Sequence, residues 1–518
     1  MDGAIGARPR TPVHIVTIDQ GTSSTKTAIW DSEGRLVAEA SASYDLDRPA
    51  ALWAEINPEH WWEALCETVA AVVAKSGVAA RDIAGIGLDA IGWSLVVTDA
   101  GFGPLVPAMT WLDRRAEVEA AELRGGAGAD RLVDLAANPL DAAYITPKLA
   151  WLRRHRPDAF EAARWFLTAS GFLTARLTGE ATCDLTQAYG FHCFDIRRER
   201  WDEEAARALG IPLDRMPPLR RIGEIAGGVT AAAAARTGLA EGTPVLVGGL
   251  DAAVGALGGG VTRPGQTQDQ GGQAGGMGMS VRDVVVEPRL IFSHHVLPGQ
   301  YLLQSGTVGG GALGWFREIL GRPDAAFEDL SAEAATASPG SGGLLFLPYM
   351  AGERTPLWSS AARGVFFGLS YTTTRAEMLR SIMEGCAFAV CDNLRLAEAT
   401  GVTVSEWLGT GGAAKSALWN QVKADVTGRP FVVARRADGG EGGHGLGLFA
   451  LTAHAVGLCD DVAATVERLL PRRTVFEPDP ARHAHYQELF EVYHAVSRGL
   501  LPSFDRLAAV SASGKAIS

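Results

Sequence analysis

A chain of 518 residues is longer than one ordinary hydrophobic core supports, so two large domains are the first expectation. Hydrophobic residues at 47% and charged residues at 20% fit a globular enzyme, and 62 glycines without a fixed period point to tight turns rather than a fibrous repeat. A net charge of −12 argues against nucleic acid or an anionic membrane as the principal partner, yet leaves nucleotide binding open, because backbone N–H groups, a metal and one or two local cations suffice to hold phosphates.

In chain order, residues 1–10 lack an apolar core for secretion, and no run of about 18 apolar residues is free of charge, so a cytoplasmic protein without a membrane span is expected. Residues 13–18 read as a strand that ends in Asp19-Gln-Gly-Thr-Ser-Ser-Thr-Lys26. Residues 25–30 and 35–40 alternate about a turn and predict a hairpin. Asn57 and Pro58 open a helix whose apolar positions Trp61, Trp62, Leu65, Val69 and Val72 recur at helical spacing. Residues 83–90 predict a further buried strand, giving an α/β layout with a mixed sheet. Residues 115–245 read as mostly helical. At residues 244–247 the opening pattern returns: a strand-like run, then Gly248-Gly-Leu and Asp251-Ala-Ala-Val-Gly255. The domain boundary is placed there, giving 1–245, 246–505 and a flexible tail at 506–518. The second half carries strands around 265–305, a long helix from about 375 to 400 and a Gly-rich segment at 409–412. Six cysteines without CxxC spacing are read as reduced thiols.

The repeated pattern is the chemical signal. Each copy delivers one carboxylate into small residues, where backbone can approach a phosphate, and two such ends facing across a cleft would make a phosphoryl-transfer site. Asp19 suits Mg²⁺ held through water, while Gly21, Thr22 and Ser23 offer N–H and hydroxyl donors to phosphate. Lys26 supplies a point charge or faces solvent. An Asx-type turn at Asp19 is the plain alternative. Asp251 is the candidate general base, with a helix N-cap as its competing role.

The motifs resemble the FGGY family of carbohydrate kinases over nearly the whole chain. Residues 16–26 look like its opening phosphate motif, residues 52–62 its WxExxPxxWW segment, and Trp111-Leu-Asp-Arg-Arg115 its WxDxR stretch. Gly364-Val-Phe-Phe-Gly-Leu369 followed by Glu377-Met-Leu-Arg-Ser-Ile-Met-Glu384 matches the C-terminal signature, and residues 345–356 resemble the LPYxxGERTP segment of xylulokinase-type members. Residues 409–416 resemble the adenosine-binding loop, which puts Gly411, Gly412 and Ser416 at the nucleotide; taken alone, that stretch reads as a helix–strand turn. The resemblance implies an α/β fold of two actin- and hexokinase-like (ribonuclease H-like) domains closing on sugar and ATP, Asp251 as base, Asp19 near Mg²⁺, Gly310 near phosphate and a homodimer. The expected activity is phosphorylation of a small sugar, most simply a ketopentose such as xylulose; ribulose, gluconate, a polyol or a non-catalytic sensor are the rivals.

Three positions depart from that pattern. Trp93 stands where a sugar-contacting histidine is usual; its ring can pack on sugar C–H groups but lacks an imidazole's donor and acceptor pair. Asp89 enters a stretch that is usually neutral and either binds a sugar hydroxyl or caps a loop. Gln273, beside Gly272, replaces the threonine of a GTSG-type phosphate loop. Trp111 is assigned to the sugar side. His294 and His295 read as paired surface or strand histidines, and Trp151, Trp165 and Trp315 as core residues.

Overall fold

In the computed structural model, which describes residues 13–272 and 274–514, the β-branched opening forms β1 (His14–Gln20) and β2 (Ser24–Asp31), an antiparallel pair in which Asp19 lies opposite Lys26. β3 (Leu36–Ser43) continues the hairpin. α1 (Pro58–Ser76) begins at the predicted cap: Asn57 Oδ1 accepts from Glu59 N at 3.1 Å, and Gly77 closes the helix in the left-handed region at φ 68°. β4 (Ile83–Ala90) runs parallel to β1 and sets Asp89 beside Asp19. β5 (Ile225–Gly228), β6 (Pro244–Leu246) and β7 (Gly249–Leu250) complete the sheet, in the order β5-β6-β4-β1-β2-β3 with β7 also pairing β4. The line expected at 245/246 falls inside β6, because Val245 pairs with Ile86 and the strand pairing runs on to Leu250.

The region read as mostly helical contains α2 (Ala169–Thr178) and several other helices, with two-residue strands between them from 183 to 220. α3 (Asp251–Gly258) leaves β7. The second sheet holds β8 (Gln266–Gln270), β9 (Met277–Val281), β10 (Ile291–His294), β11 (Tyr301–Gln304), β12 (Glu406–Thr410), β13 (Phe431–Arg435) and β14 (Arg472–Phe476), in the order β10-β11-β9-β8-β12-β13-β14. Its helices include α4 (Gly310–Ile319), α5 (Arg375–Ala399), α6 (Ala417–Thr427) and α7 (His444–Ala455). A capping box at Thr374 and Glu377 starts α5. α8 (Leu501–Gly514) takes in residues 506–514 of the stretch expected to be a flexible tail, and residues 515–518 lie outside the described residues; Phe504 is buried in the cluster of Tyr486, Phe490 and Tyr493. No helix among the described residues is long and apolar enough to cross a membrane. All six cysteines are free and five are buried.

The two halves exchange helices. α3 follows the first sheet but lies on the second, where Gln268 Nε2 donates to Gly255 O at 3.1 Å. α7 belongs to the second half of the chain but covers the first sheet, and the absence of side chains at Gly85 and Gly87 on β4 makes room for Val456 and Thr452. Where α3 and α7 cross, backbones touch. A Cβ on Gly258 would run into Gly443 O, and one on Gly447 into Val254 O. Since neither obstacle is a side chain that can swing away, Gly258→Ala is expected to lower the unfolding free energy by about 3 kcal/mol. Urea denaturation measures this, and an unchanged midpoint would mean that the crossing has slack.

Candidate active site

β1, β4 and β7 lie side by side and parallel where they adjoin, so their C-terminal ends share one edge, the usual place for a site in such a sheet. That edge gathers Asp19, Asp89 and, one residue past β7, Asp251. Asp251 is the first residue of α3, and its Oδ1 accepts from Ala252 N at 2.6 Å. Its other oxygen has no partner among the described residues. The cap reading is corrected: the N-cap is Leu250, without a side-chain cap bond, and Asp251 is the first helical residue, with one oxygen bonded to the next N–H and its carboxylate at the cavity wall. Lost solvation pushes Asp251 up to about 6, opposed by the nearby His444 charge.

Asp251 opens on a cavity of about 260 Å³ shared with Thr22, Trp93, Trp111, Tyr189 and Arg354. Trp111 Nε1 donates to Thr22 Oγ1 at 3.0 Å, joining the opening hairpin to the cavity wall. The Arg354 guanidinium lies 4.8 Å from the Trp111 ring centre, and no carboxylate forms an ion pair with it among the described residues. Trp93 is buried with φ 50°, packs 4.4 Å from the Tyr144 ring centre, and leaves its Nε1 without a partner. Thr22, Trp93, Trp111 and Asp251 thus come together as the sequence predicts. Asp89 does not join them: it is wholly buried on β4, with Oδ2 3.2 Å from His444 Nδ1. Neither a sugar hydroxyl nor a loop cap, the two roles expected for Asp89, is among its contacts: its partner is His444, at the start of α7.

Asp19, Asp89 and His444 offer ligand atoms within 4.8 Å of one another. Burial and the Asp19 charge push Asp89 up to about 7, against the pull of His444. Burial works against charge on His444, but Asp19 and Asp89 outweigh it and raise the imidazole to about 10. Asp19 and Lys26 line a second cavity, of about 700 Å³, together with His444 and Arg436. Asp19 lines this second cavity and Asp251 the first, and the Asp19 charge still acts on Asp251 and, with it, on His444. Ser23 is exposed, and Gly21 is tied into the hairpin through Gly21 N donating to Ser24 O at 2.9 Å.

A third cavity, about 750 Å³, is lined by Gly272, Gly310, Gly412 and Ser416, with Trp315, Met383 and Lys415. Gly411 sits at φ 74° against the Gly271 backbone, a conformation and a closeness that favour glycine. Ser416 Oγ caps α6, accepting from Trp419 N at 3.2 Å. Gln273 lies outside the described residues. The loop joins the cavities: Gln270 and Gly275 border the Asp251 cavity, and Gly271 and Gly272 border this one.

Several readings change in three dimensions. Trp315 is not a core residue; it is 37% exposed and forms a wall of the third cavity. His294 and His295 are buried, not on the surface; the strand reading holds for His294, the last residue of β10, and their Nε2 atoms lie 3.2 and 3.1 Å from the carbonyls of Ile196 and Val261. Tyr189, Arg354 and His444 escape the sequence reading as site residues. Arg354 lies inside a quoted motif, but a motif does not show which side chain is left unpaired; His444 had only its glycine neighbours as a signal.

The N-terminal domain model of the FGGY family of carbohydrate kinases matches residues 14–258, and its C-terminal domain model residues 286–454. The chain is 30% identical over 484 residues to a xylulose kinase of Bacillus subtilis, covering 93% of this chain and 96% of the relative. Among solved structures it is similar to a xylulose kinase from Rhodospirillum rubrum, with TM-score 0.85, 29% identity and coverage of 95% and 100%. A gluconate kinase from Lactobacillus acidophilus gives TM-score 0.87, 25% identity and coverage of 96% and 100%. These agreements extend through both sheets and the helices exchanged between them, and the chain belongs to the FGGY family of carbohydrate kinases as a sugar kinase with the two-domain actin- and hexokinase-like fold.

Proposed function

We propose that this kinase moves the γ-phosphoryl group of ATP to a hydroxyl of a ketopentose such as xylulose, with Asp251 as general base. The observation that carries the reading is Asp251 itself: a carboxylate with one oxygen anchored and one free, at the wall of a cavity whose bordering loop also edges the Gly-rich cavity. A volume of about 260 Å³ is below the roughly 300–1,000 Å³ of sites for drug-sized ligands, which suits a five- or six-carbon acceptor. Trp93 and Trp111 supply aromatic faces, and the unpartnered Trp93 indole N–H suits a hydroxyl-bearing ligand.

In this scheme adenosine lies along Gly411 and Gly412, and the phosphates reach past Gly272 and Gly310 toward Thr22. The free Asp251 oxygen takes the proton of the acceptor hydroxyl as the hydroxyl oxygen attacks the γ-phosphorus and ADP departs. Asp19, through water, would hold Mg²⁺, and the orphaned oxygen of Asp89 beside it fits a cation there; the ion would neutralise phosphate charge. Arg354, free of a carboxylate partner, meets the phosphate charge that arrives on the acceptor. Arg354→Gln is expected to lower kcat about 10²-fold with little change in KM for ATP. An unaltered kcat would take Arg354 out of the transfer step.

Arg354 also favours a second reading, a sugar acid whose carboxylate pairs with the guanidinium, as the gluconate kinase neighbour suggests. ADP-release assays over ketoses, aldonates and polyols decide between them, and release with none of these would leave the sensor reading. A homodimeric cytoplasmic enzyme belongs to the same proposal, and light scattering in solution tests the dimer.

A further inference from the structure

We infer that Asp19, Asp89 and His444 form a protein-only divalent cation site that takes a transition ion such as Mn²⁺ in preference to Mg²⁺, without help from nucleotide. It rests on the metal role proposed for Asp19 and adds two ligands to it. The three side chains come from β1, from β4 and from the start of α7, and one donor atom of each lies within 4.8 Å of the others. Three separate, well-packed elements hold them, which is what a preformed site needs.

An independent observation points to a ligand. Asp89 has no solvent exposure, and its Oδ1 has no hydrogen-bond partner. A buried carboxylate oxygen left alone is costly, and native structures rarely retain one without a water or an ion. Its other oxygen meets only His444, 3.2 Å away. A cation among the three would give the Asp89 carboxylate the second partner it lacks and draw Asp19 inward. Access exists as well, since Asp19 and His444 both face the cavity of about 700 Å³.

The donor set gives the preference. Mg²⁺ favours oxygen ligands and keeps most of its water. One imidazole nitrogen, whose proton the ion displaces to solvent, together with two carboxylates suits Mn²⁺, Co²⁺ or Zn²⁺ better, in line with the rising affinity of later divalent metals for nitrogen. The role of Asp89 is therefore to bind an ion rather than sugar.

The test uses the full chain, stripped of metal by a chelator and free of nucleotide. Mn²⁺ is titrated while electron paramagnetic resonance follows the free ion, and the pulsed form of the experiment reports nitrogen coupled to bound Mn²⁺. One Mn²⁺ per chain is expected, bound about tenfold or more tighter than Mg²⁺ in competition, with the signature of one imidazole nitrogen. His444→Ala should abolish the nitrogen signal, and Asp89→Asn should weaken binding by about tenfold or more. Mn²⁺ that binds only when ATP is present, or that binds without nitrogen coupling, overturns the inference. The wild-type nitrogen signal decides even if a variant fails to fold. Sugar-dependent ADP release with Mg²⁺ in the same preparation reports on the kinase chemistry separately, so either reading can fail while the other stands.

Discussion

Asp251→Asn is expected to lower sugar-dependent ADP release by about 10³-fold, on the order of 4 kcal/mol in the barrier, while ATP binding stays near the wild-type level. The amide keeps the size and the bond to Ala252 N, but it cannot take a proton from the acceptor. The residues proposed for adenosine line a different cavity from Asp251, so the KM for ATP gives the internal control. The pH profile adds a second reading of the same group. Because Asp251 is raised to about 6, the base is ionised above that pH and protonated below it. In the wild type kcat/KM should fall about tenfold per pH unit on the acid side of 6, and that limb should vanish in the residual activity of Asp251→Asn. Full turnover in the variant would remove Asp251 from the chemistry.

Lys148→Met is expected to have the largest effect on stability, about 3–5 kcal/mol. Lys148 is completely buried, and its Nζ donates to Trp93 O at 2.8 Å, Thr110 O at 2.7 Å and Ala143 O at 2.6 Å. Burial presses its ammonium down to about 7, with Asp113 and Asp141 acting to hold it charged. Methionine keeps the bulk but strands three carbonyls away from water. Trp93 and Trp111, the latter adjacent to Thr110, are two walls of the Asp251 cavity. The variant should therefore also raise the KM for the sugar more than the KM for ATP. Urea unfolding and the two KM values check both halves, and a variant with unchanged midpoint and KM would show that the cavity walls are held by other contacts.

Local structure was widely legible. The α1 start at Asn57 and Pro58, the hairpin of β2 and β3, β4 and the long α5 were readable because caps, turn residues and period-2 or period-3.6 patterns act within a few residues of sequence. The lobe boundary was less so. Residue 246 opens the second unit by pattern, yet Leu246 shares β6 with Val245, and their pairing with Ile225 and Ile86 keeps both in the first sheet. Trp315 illustrates the same limit: it reads as a core aromatic, yet the face it occupies is the wall of a cavity.

By itself the sequence determined the two strand-to-acid patterns, the Gly-rich loops and the place of Asp251 at a helix start, all of which depend on neighbours along the chain. Only the tertiary structure decided which residues line the cavities beside Asp19 and Asp251, and that Asp89 meets His444, 355 positions away in the chain. The physical reason is that charge and solvation act through space: a carboxylate's role follows from which group burial leaves beside it, and the exchange of α3 and α7 between the two sheets makes those neighbours.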